Sequence, residues 1–314
     1  MSRARSICVV ALVFLIAHPV LAETNTVYNF LRTDVSSRAA GMGGSFVGVL
    51  GDPTTIFYNP AGLSTISNPM GSVGFFKHLL DINSGYLAYS QEIQDAGFVG
   101  GSVLYTSYGS FDKTDEGGNN LGTFSAGDLA VILGYSNLLD ENLHYGINVK
   151  YIHSSIDEYS SSGVAADFGI LFNIPESRFT VAASILNVGT QLTQYGSIEE
   201  DLPLDIVVGA SVVPRGIPLL LHVSFHKLNA KTEDFGERFR SFRVGGEFTL
   251  GPSFQLRFGY DNEKRTDLKV GSSAGLAGFS GGAGITVSDY RLDYALSSLG
   301  SIGELHRISI GATF

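Results

Sequence analysis

Phe254-Gln-Leu-Arg-Phe-Gly-Tyr-Asp261 sets an apolar or aromatic residue at every second position and a polar or small one between. Successive side chains of a strand point to opposite faces, so this octapeptide has one greasy face and one wet face. The zigzag recurs in Tyr145, Ile147, Val149 and Tyr151 against His144, Gly146, Asn148 and Lys150. It recurs again in Tyr290, Leu292, Tyr294 and Leu296 against Arg291, Asp293, Ala295 and Ser297. A soluble sandwich alternates in the same way. Two features separate the cases. The stretches approach the roughly 9–11 residues with which a tilted strand crosses a bilayer. Their wet face also carries Arg, Lys and Asp, as the watery interior of a membrane barrel does.

Working outward, about fourteen such stretches start near residues 71, 84, 97, 125, 144, 162, 178, 204, 217, 239, 253, 275, 289 and 304. The connections between them alternate. Gly109–Phe124, Gly189–Pro203, Asn229–Arg238 and Glu263–Ala274 are long and Asp157–Gly163 is intermediate. Leu139–Leu143, Pro175–Arg178, Pro214–Gly216, Gly251–Pro252 and Ser288–Asp289 are short. Outer-membrane barrels have short periplasmic turns and longer external loops in that phase. The last strand, Leu305–Phe314, ends on an aromatic with Ile308, Ile310 and Ala312 on its own face. That ending resembles the signal read by the outer-membrane assembly machinery, and Phe314 is its candidate residue.

Composition agrees. Charged residues are 16 % of the chain, against roughly 25 % in soluble domains. The region after the leader has no run of about 18 apolar residues that could cross as a helix. An apolar chain without a spanning helix leaves the closed barrel, because lipid cannot satisfy open sheet edges. Residues 1–22 read as a cleaved signal peptide: Arg3 and Arg5, an apolar stretch from Ile7 to Ala17, then Val20-Leu21-Ala22. Export to the outer membrane of a Gram-negative cell follows. The single cysteine, Cys8, lies in that leader, so the mature chain would have neither disulfide nor thiolate. Without Arg3 and Arg5, 18 basic residues face 30 acidic ones, a formal charge of −12, which argues against nucleic acid as a partner.

Residues 23–69 do not alternate. Asp52-Pro53 reads as an N-cap followed by Pro in the first helical position, and Asn59-Pro60 repeats it. Gly41 to Gly48 is rich in small residues that permit close packing. A short, partly helical element without a core of its own must pack on something, and the lumen of the barrel formed by 70–314 is the place. The expected fold is therefore an all-β, transmembrane antiparallel barrel of about fourteen strands with an N-terminal hatch.

Ser37-Arg38-Ala39-Ala40-Gly41-Met42-Gly43-Gly44, Asp52 and Tyr58-Asn59-Pro60-Ala61-Gly62-Leu63 resemble the N-terminal signature of the FadL-type outer-membrane proteins. Phe30-Leu31 ahead of them makes the PorV/PorQ branch the most similar. The resemblance covers about 35 residues and implies a fourteen-stranded barrel with the hatch in its lumen. It assigns Asn59, Pro60, Ala61 and Gly62 to the hatch motif, and Arg38, Gly41, Gly43 and Gly44 to its small-residue segment. For the PorV/PorQ branch it implies an accessory role in type IX protein secretion, with secreted cargo as partner. FadL-like members pass long-chain fatty acids or other hydrophobic molecules. The short chain, without long external insertions, favours the first role, with a hydrophobe channel as the alternative and a purely structural barrel as a third class.

Enzymatic motifs are lacking. Gly41-x-Gly43 has Phe46 where a dinucleotide loop needs Gly, and no Gly-x-Ser-x-Gly elbow occurs. His222 and His226 are four apart on a strand, about 13 Å, too far to share a metal. No enzyme activity, cofactor or metal is expected. Lys150, Glu247, Arg257, Arg291, Asp293 and Arg307 point to the presumed lumen, as local ion pairs in a wet bore or as anchors for the hatch. The acidic outer loops, with Asp112, Asp115, Glu116, Glu199, Glu200 and Asp201, keep themselves solvated.

Overall fold

The computed structural model describes residues 26–230, 232, 235–269 and 274–314. The expected signal peptide, and the expected start of the hatch at Glu23, lie outside them. Each alternating stretch is a strand: β1 (Met70–Lys77), β2 (Asn83–Ile93), β3 (Gly97–Thr114), β4 (Asn120–Asp140), β5 (Leu143–Ile156), β6 (Tyr159–Ile174) and β7 (Phe179–Thr193). The second half supplies β8 (Asp205–Val212), β9 (Leu219–Phe225), β10 (Phe242–Leu250), β11 (Phe254–Asp261), β12 (Phe279–Val287), β13 (Tyr290–Ser298) and β14 (Glu304–Thr313). Each pairs antiparallel with its sequence neighbours. β1 also pairs with β14, Val73 opposite Ile310, and this closes the barrel. Closure leaves no unpaired edge, as hydrocarbon surroundings require.

The two faces are inside out relative to a soluble protein. On β5, Val149 is 59 % exposed while Asn148 is 0 % and Lys150 3 % exposed. Phe75, Tyr105, Leu133, Tyr151, Phe258, Ile308 and Ile310 likewise stand outward and bare. A contiguous apolar belt over a polar interior is what a bilayer stabilises and water does not.

The connections depart from expectation at the outer end, opposite the end where β1 begins and β14 finishes. Gly109–Phe124 is mostly strand, since β3 runs to Thr114 and β4 starts at Asn120. A bulge between Ser107 and Ser110, with Gly109 at φ 83°, redirects the extension, and Phe111 stacks on Phe124 at 5.3 Å. Asp157–Gly163 shrinks to a turn at 157–158. Cross-strand pairing carries these Gly- and Ser-rich stretches on as sheet although their composition reads as loop.

Residues 26–69 fill the bore. Thr26 bridges to Asp201 and the Tyr28 hydroxyl bonds Ser161 at the outer end. The chain then descends to Met70 at the inner end. Phe46, Met42, Ile56 and Leu63, among the largest fully buried side chains, all belong to this segment. The core of the molecule is the contact between hatch and wall.

Candidate functional site

The hatch is built from capped turns. Ser36 begins the helical turn Ser37–Gly41, and Gly43 and Gly44, at φ 68° and 77°, end it in a left-handed conformation that suits glycine. Asp52 Oδ1 accepts from Thr54 N–H at 3.0 Å ahead of the 3-10 turn Pro53–Phe57. Asn59 Oδ1 accepts from Ala61 N–H at 3.0 Å ahead of Pro60–Thr65. The Tyr58 hydroxyl accepts from the N–H groups of Val35 and Ser36 at 3.0 and 3.1 Å and ties the turns together. Asn59 Nδ2 donates to Val47 O at 3.0 Å and to Ile170 O of β6 at 3.2 Å, so the motif also reaches the wall. Ala61 O accepts from Ser136, and Gly62 abuts Thr55. The wall yields space here: a Cβ on Gly146 or Gly169 would run into Pro60 or Asn59.

Against β10, β11 and β13 the contact is ionic. Arg38 donates to both oxygens of Glu247, at 2.8 and 2.6 Å. Glu247 also takes Arg257 at 2.6 Å. Arg257 pairs with Asp293 at 2.7 Å, Asp293 with Arg291 at 2.8 Å, Arg291 with Asp52 at 2.8 Å, and Asp52 with Arg38 at 3.1 Å. Three guanidinium groups and three carboxylates thus alternate around a closed, neutral ring, two members from the hatch and four from the wall. The Arg38–Glu247 pair is bidentate and charge-assisted, the strong kind of hydrogen bond. A second ring joins Asp34 of the hatch to Arg243, Asp261 and Lys264, with ion pairs of 2.7 to 3.3 Å.

Burial alone would raise the carboxyl groups of the hatch. At Asp34 the charges of Lys264, Arg243 and Arg307 outweigh it, and at Asp52 those of Arg291 and Arg38 do. Both acids are held well below the usual carboxylate range.

Four of the six charged residues predicted to face the lumen, Glu247, Arg257, Arg291 and Asp293, meet in the first ring. Lys150 stands apart, bonded to Asp167 at 2.9 Å and Asn187 at 2.7 Å. Arg307 stands apart as well, donating to the carbonyl of Asp34 and to Ser297. Sequence reasoning placed Arg38 in a small-residue segment and Asp52 only at a cap. It missed Asp34, Arg243 and Asp261. A signal did exist: Arg32, Asp34, Arg38 and Asp52 are the charged residues of a 26–69 segment that is otherwise uncharged. Phe314 lies at the inner end, its N–H donating to Pro69 O and its ring 6.3 Å from Tyr89.

The two histidines read as unlikely metal ligands form a relay. Gly48 N–H donates to His222 Nε2 at 2.9 Å, so the Nδ1 side carries the proton and donates to Ser45 Oγ at 2.5 Å. Ser45 contacts Ser224 at 3.1 Å, Ser224 contacts His226 Nε2 at 3.0 Å, and His226 Nδ1 faces Asp205 at 3.4 Å. Ser224, His226 and Asp205 have the connectivity of a hydrolytic triad. Yet Ser224 is fully buried and does not line the neighbouring cavity, so no substrate carbonyl can approach its hydroxyl. The relay fastens the hatch to β9.

That cavity, about 240 Å³, lies between the hatch and the outer ends of β7 to β11. Leu31, Phe57 and Leu186 supply its apolar wall. His226, Arg243 and Asp261 are among its polar lining.

Protein families and curated proteins offer no match to the chain. Solved structures do. The Ralstonia pickettii toluene transporter TbuX is 12 % identical with a TM-score of 0.62, covering 88 % of this chain and 98 % of that one. The CymD monoaromatic hydrocarbon channel is 11 % identical with a TM-score of 0.60, over 89 % and 97 %. A Pseudomonas aeruginosa FadL homologue is 11 % identical with a TM-score of 0.56, over 89 % and 98 %. Identity this low speaks to architecture alone: the chain has the fold of the FadL-like outer-membrane barrels.

Proposed function

We propose that this chain is an outer-membrane barrel that passes hydrophobic small molecules, with the hatch as its gate. The observation that carries the reading is the construction of the bore. A separate segment fills it and is held by ion pairs and hydrogen bonds that can be exchanged, inside a wall whose apolar face meets lipid. The named activities of TbuX and CymD, a toluene transporter and a monoaromatic hydrocarbon channel, support it. They back the hydrophobe channel, the alternative of the sequence reading, better than the secretion role. Export by a leader at 1–22 and recognition of Phe314 by the assembly machinery belong to the same proposal.

The test uses the absence of other cysteines after the leader. Ser45→Cys with Ser224→Cys, hydroxyls 3.1 Å apart, pins the hatch to the wall on oxidation. In proteoliposomes, toluene passage stops on oxidation and resumes on reduction, while empty vesicles show neither. Passage indifferent to the cross-link removes the hatch from the mechanism.

The type IX accessory role is the second reading, favoured by Phe30-Leu31 ahead of the Ser37–Gly44 stretch. Co-purification of secreted proteins sharing one C-terminal domain would support it, and their absence from a host that makes that system would count against it.

A further inference from the structure

The lipid face of β1 reads Gly71, Val73, Phe75 and then Lys77 toward the outer end. That of β14, read in the same direction, is Ala312, Ile310, Ile308 and then His306. Both strands thus change from apolar to basic at one level. Lys77 and His306 are exposed and stand directly opposite each other in the β1–β14 register, where the Cβ atoms of facing residues lie about 5 Å apart. Along β14, His306 rises about 20 Å above Phe314 at the usual strand rise and tilt, near the top of an apolar band roughly 25 Å tall. Exposed Tyr294 and Tyr105 stand on the same outer flank, as aromatic residues do at the level of lipid heads.

The Tyr294 hydroxyl lies 2.7 Å from His306 Nδ1. Among the described residues the phenol has no other partner, so its O–H donates to Nδ1, and an imidazole that accepts there carries its proton at Nε2. Neither that N–H nor the Lys77 ammonium has a hydrogen-bond or ion-pair partner among the described residues. The acids on this flank lie farther out, Glu304 two residues beyond His306 and Asp81 in the turn after β1. A lone lysine at this depth carries its stem past the apolar layer to water. Here a second donor, fixed in orientation by Tyr294, stands beside it on the neighbouring strand.

We propose that Lys77 and His306 hold the phosphate of an outer-leaflet lipid against the outside of the barrel. The acyl chains of that lipid lie along Phe75 and Ile308, so its head meets both donors without leaving the bilayer. Phosphate oxygens accept charge-assisted hydrogen bonds from ammonium and imidazole N–H groups. The site is on the lipid side of the wall, away from the bore, and the inference does not depend on the transport reading.

The test is native mass spectrometry of the full chain released from a neutral maltoside. The probes are dimyristoyl phosphatidic acid and dimyristoylglycerol, which has the same tails without the phosphate. Phosphatidic acid is expected to bind roughly ten-fold tighter, about the value of one charge-assisted contact. Lys77→Gln and His306→Phe each lower that gain and together abolish it. Lys113→Gln, which removes a lysine of the β3–β4 extension already paired with Asp157, leaves it intact. A heat-modifiable gel band checks that each variant closes its barrel, and either single variant decides if the other does not fold. With 15N-labelled histidine, Tyr294→Phe shifts the His306 ring toward mixed tautomers and weakens the gain. Unmoved ring shifts overturn Nε2 as the donor. Equal affinity for the two lipids, a gain that survives the double variant, or an equal loss in Lys113→Gln overturns the site. Inorganic phosphate that competes at the same concentration as phosphatidic acid overturns a lipid as its occupant.

Discussion

Asn59 does three things with one amide: it caps the turn at Ala61, holds Val47 within the hatch, and reaches Ile170 on β6. Asn59→Ala leaves buried backbone groups without partners, at about 1–3 kcal/mol each. The expected outcome is a looser hatch and a higher single-channel conductance in planar bilayers. An unchanged trace would count against the assignment. Arg38 is the more severe case. Arg38→Met leaves Glu247 and Asp52 as buried acids short of a cation, and breaking a buried pair in this way costs about 3–5 kcal/mol. A cysteine placed at Ser45 should then react with a maleimide many times faster than in the parent chain. An equal rate would show that the ring does not hold the hatch.

At the scale of elements, hatch and wall are matched by what the strands omit. Glycines on β5 and β6 receive the Asn59–Pro60 turn. Gly146→Val should let the barrel close, seen as a heat-modifiable band on gels, while the hatch cannot seat and residues 45–64 become open to protease. Gly101→Val on β3 is the control: its Cβ would meet nothing nearer than Leu133 at 3.8 Å, on the lipid face, so the hatch should stay protected. If Gly146→Val kept full protection, close approach would not be what that glycine is for. The ionic part of the grip is one-sided. The ion rings face β10 to β13, while glycines receive the hatch on both sides, Gly146 and Gly169 at the Asn59–Pro60 turn and Gly245 and Gly259 at Met42 and Gly43.

For the whole molecule, the hatch acids set the response to pH. Asp34 and Asp52 are depressed relative to the unfolded chain, whose Asp groups titrate near 3.9. A depressed acid contributes stability that is present above the unfolded value and is lost as pH falls through the folded one. Hatch seating and conductance should therefore be flat between about pH 5 and 8, with loosening only in strong acid. A step in conductance inside that range would contradict the ion rings as the main clasp.

The strand pattern was open to reading because alternation is local: period two follows from backbone geometry, and lipid on one side imposes it on every strand. Fourteen strands, their order of connection and the capped turns at Asp52 and Asn59 followed from such local signals. The lengths of β3 and β4 did not, because pairing beyond the bilayer depends on the neighbouring strand and the residues there look like loop. The lumen charges could be assigned to a face, since parity is enough for that. Their partners could not. Arg38 and Glu247 are 209 residues apart, and only closure of the barrel around the hatch sets one against the other. For the same reason the partners of Asp34 belong to the tertiary structure: a sequence shows which residues carry charge, but neutralisation by Arg243 and Lys264 depends on distances that folding alone sets.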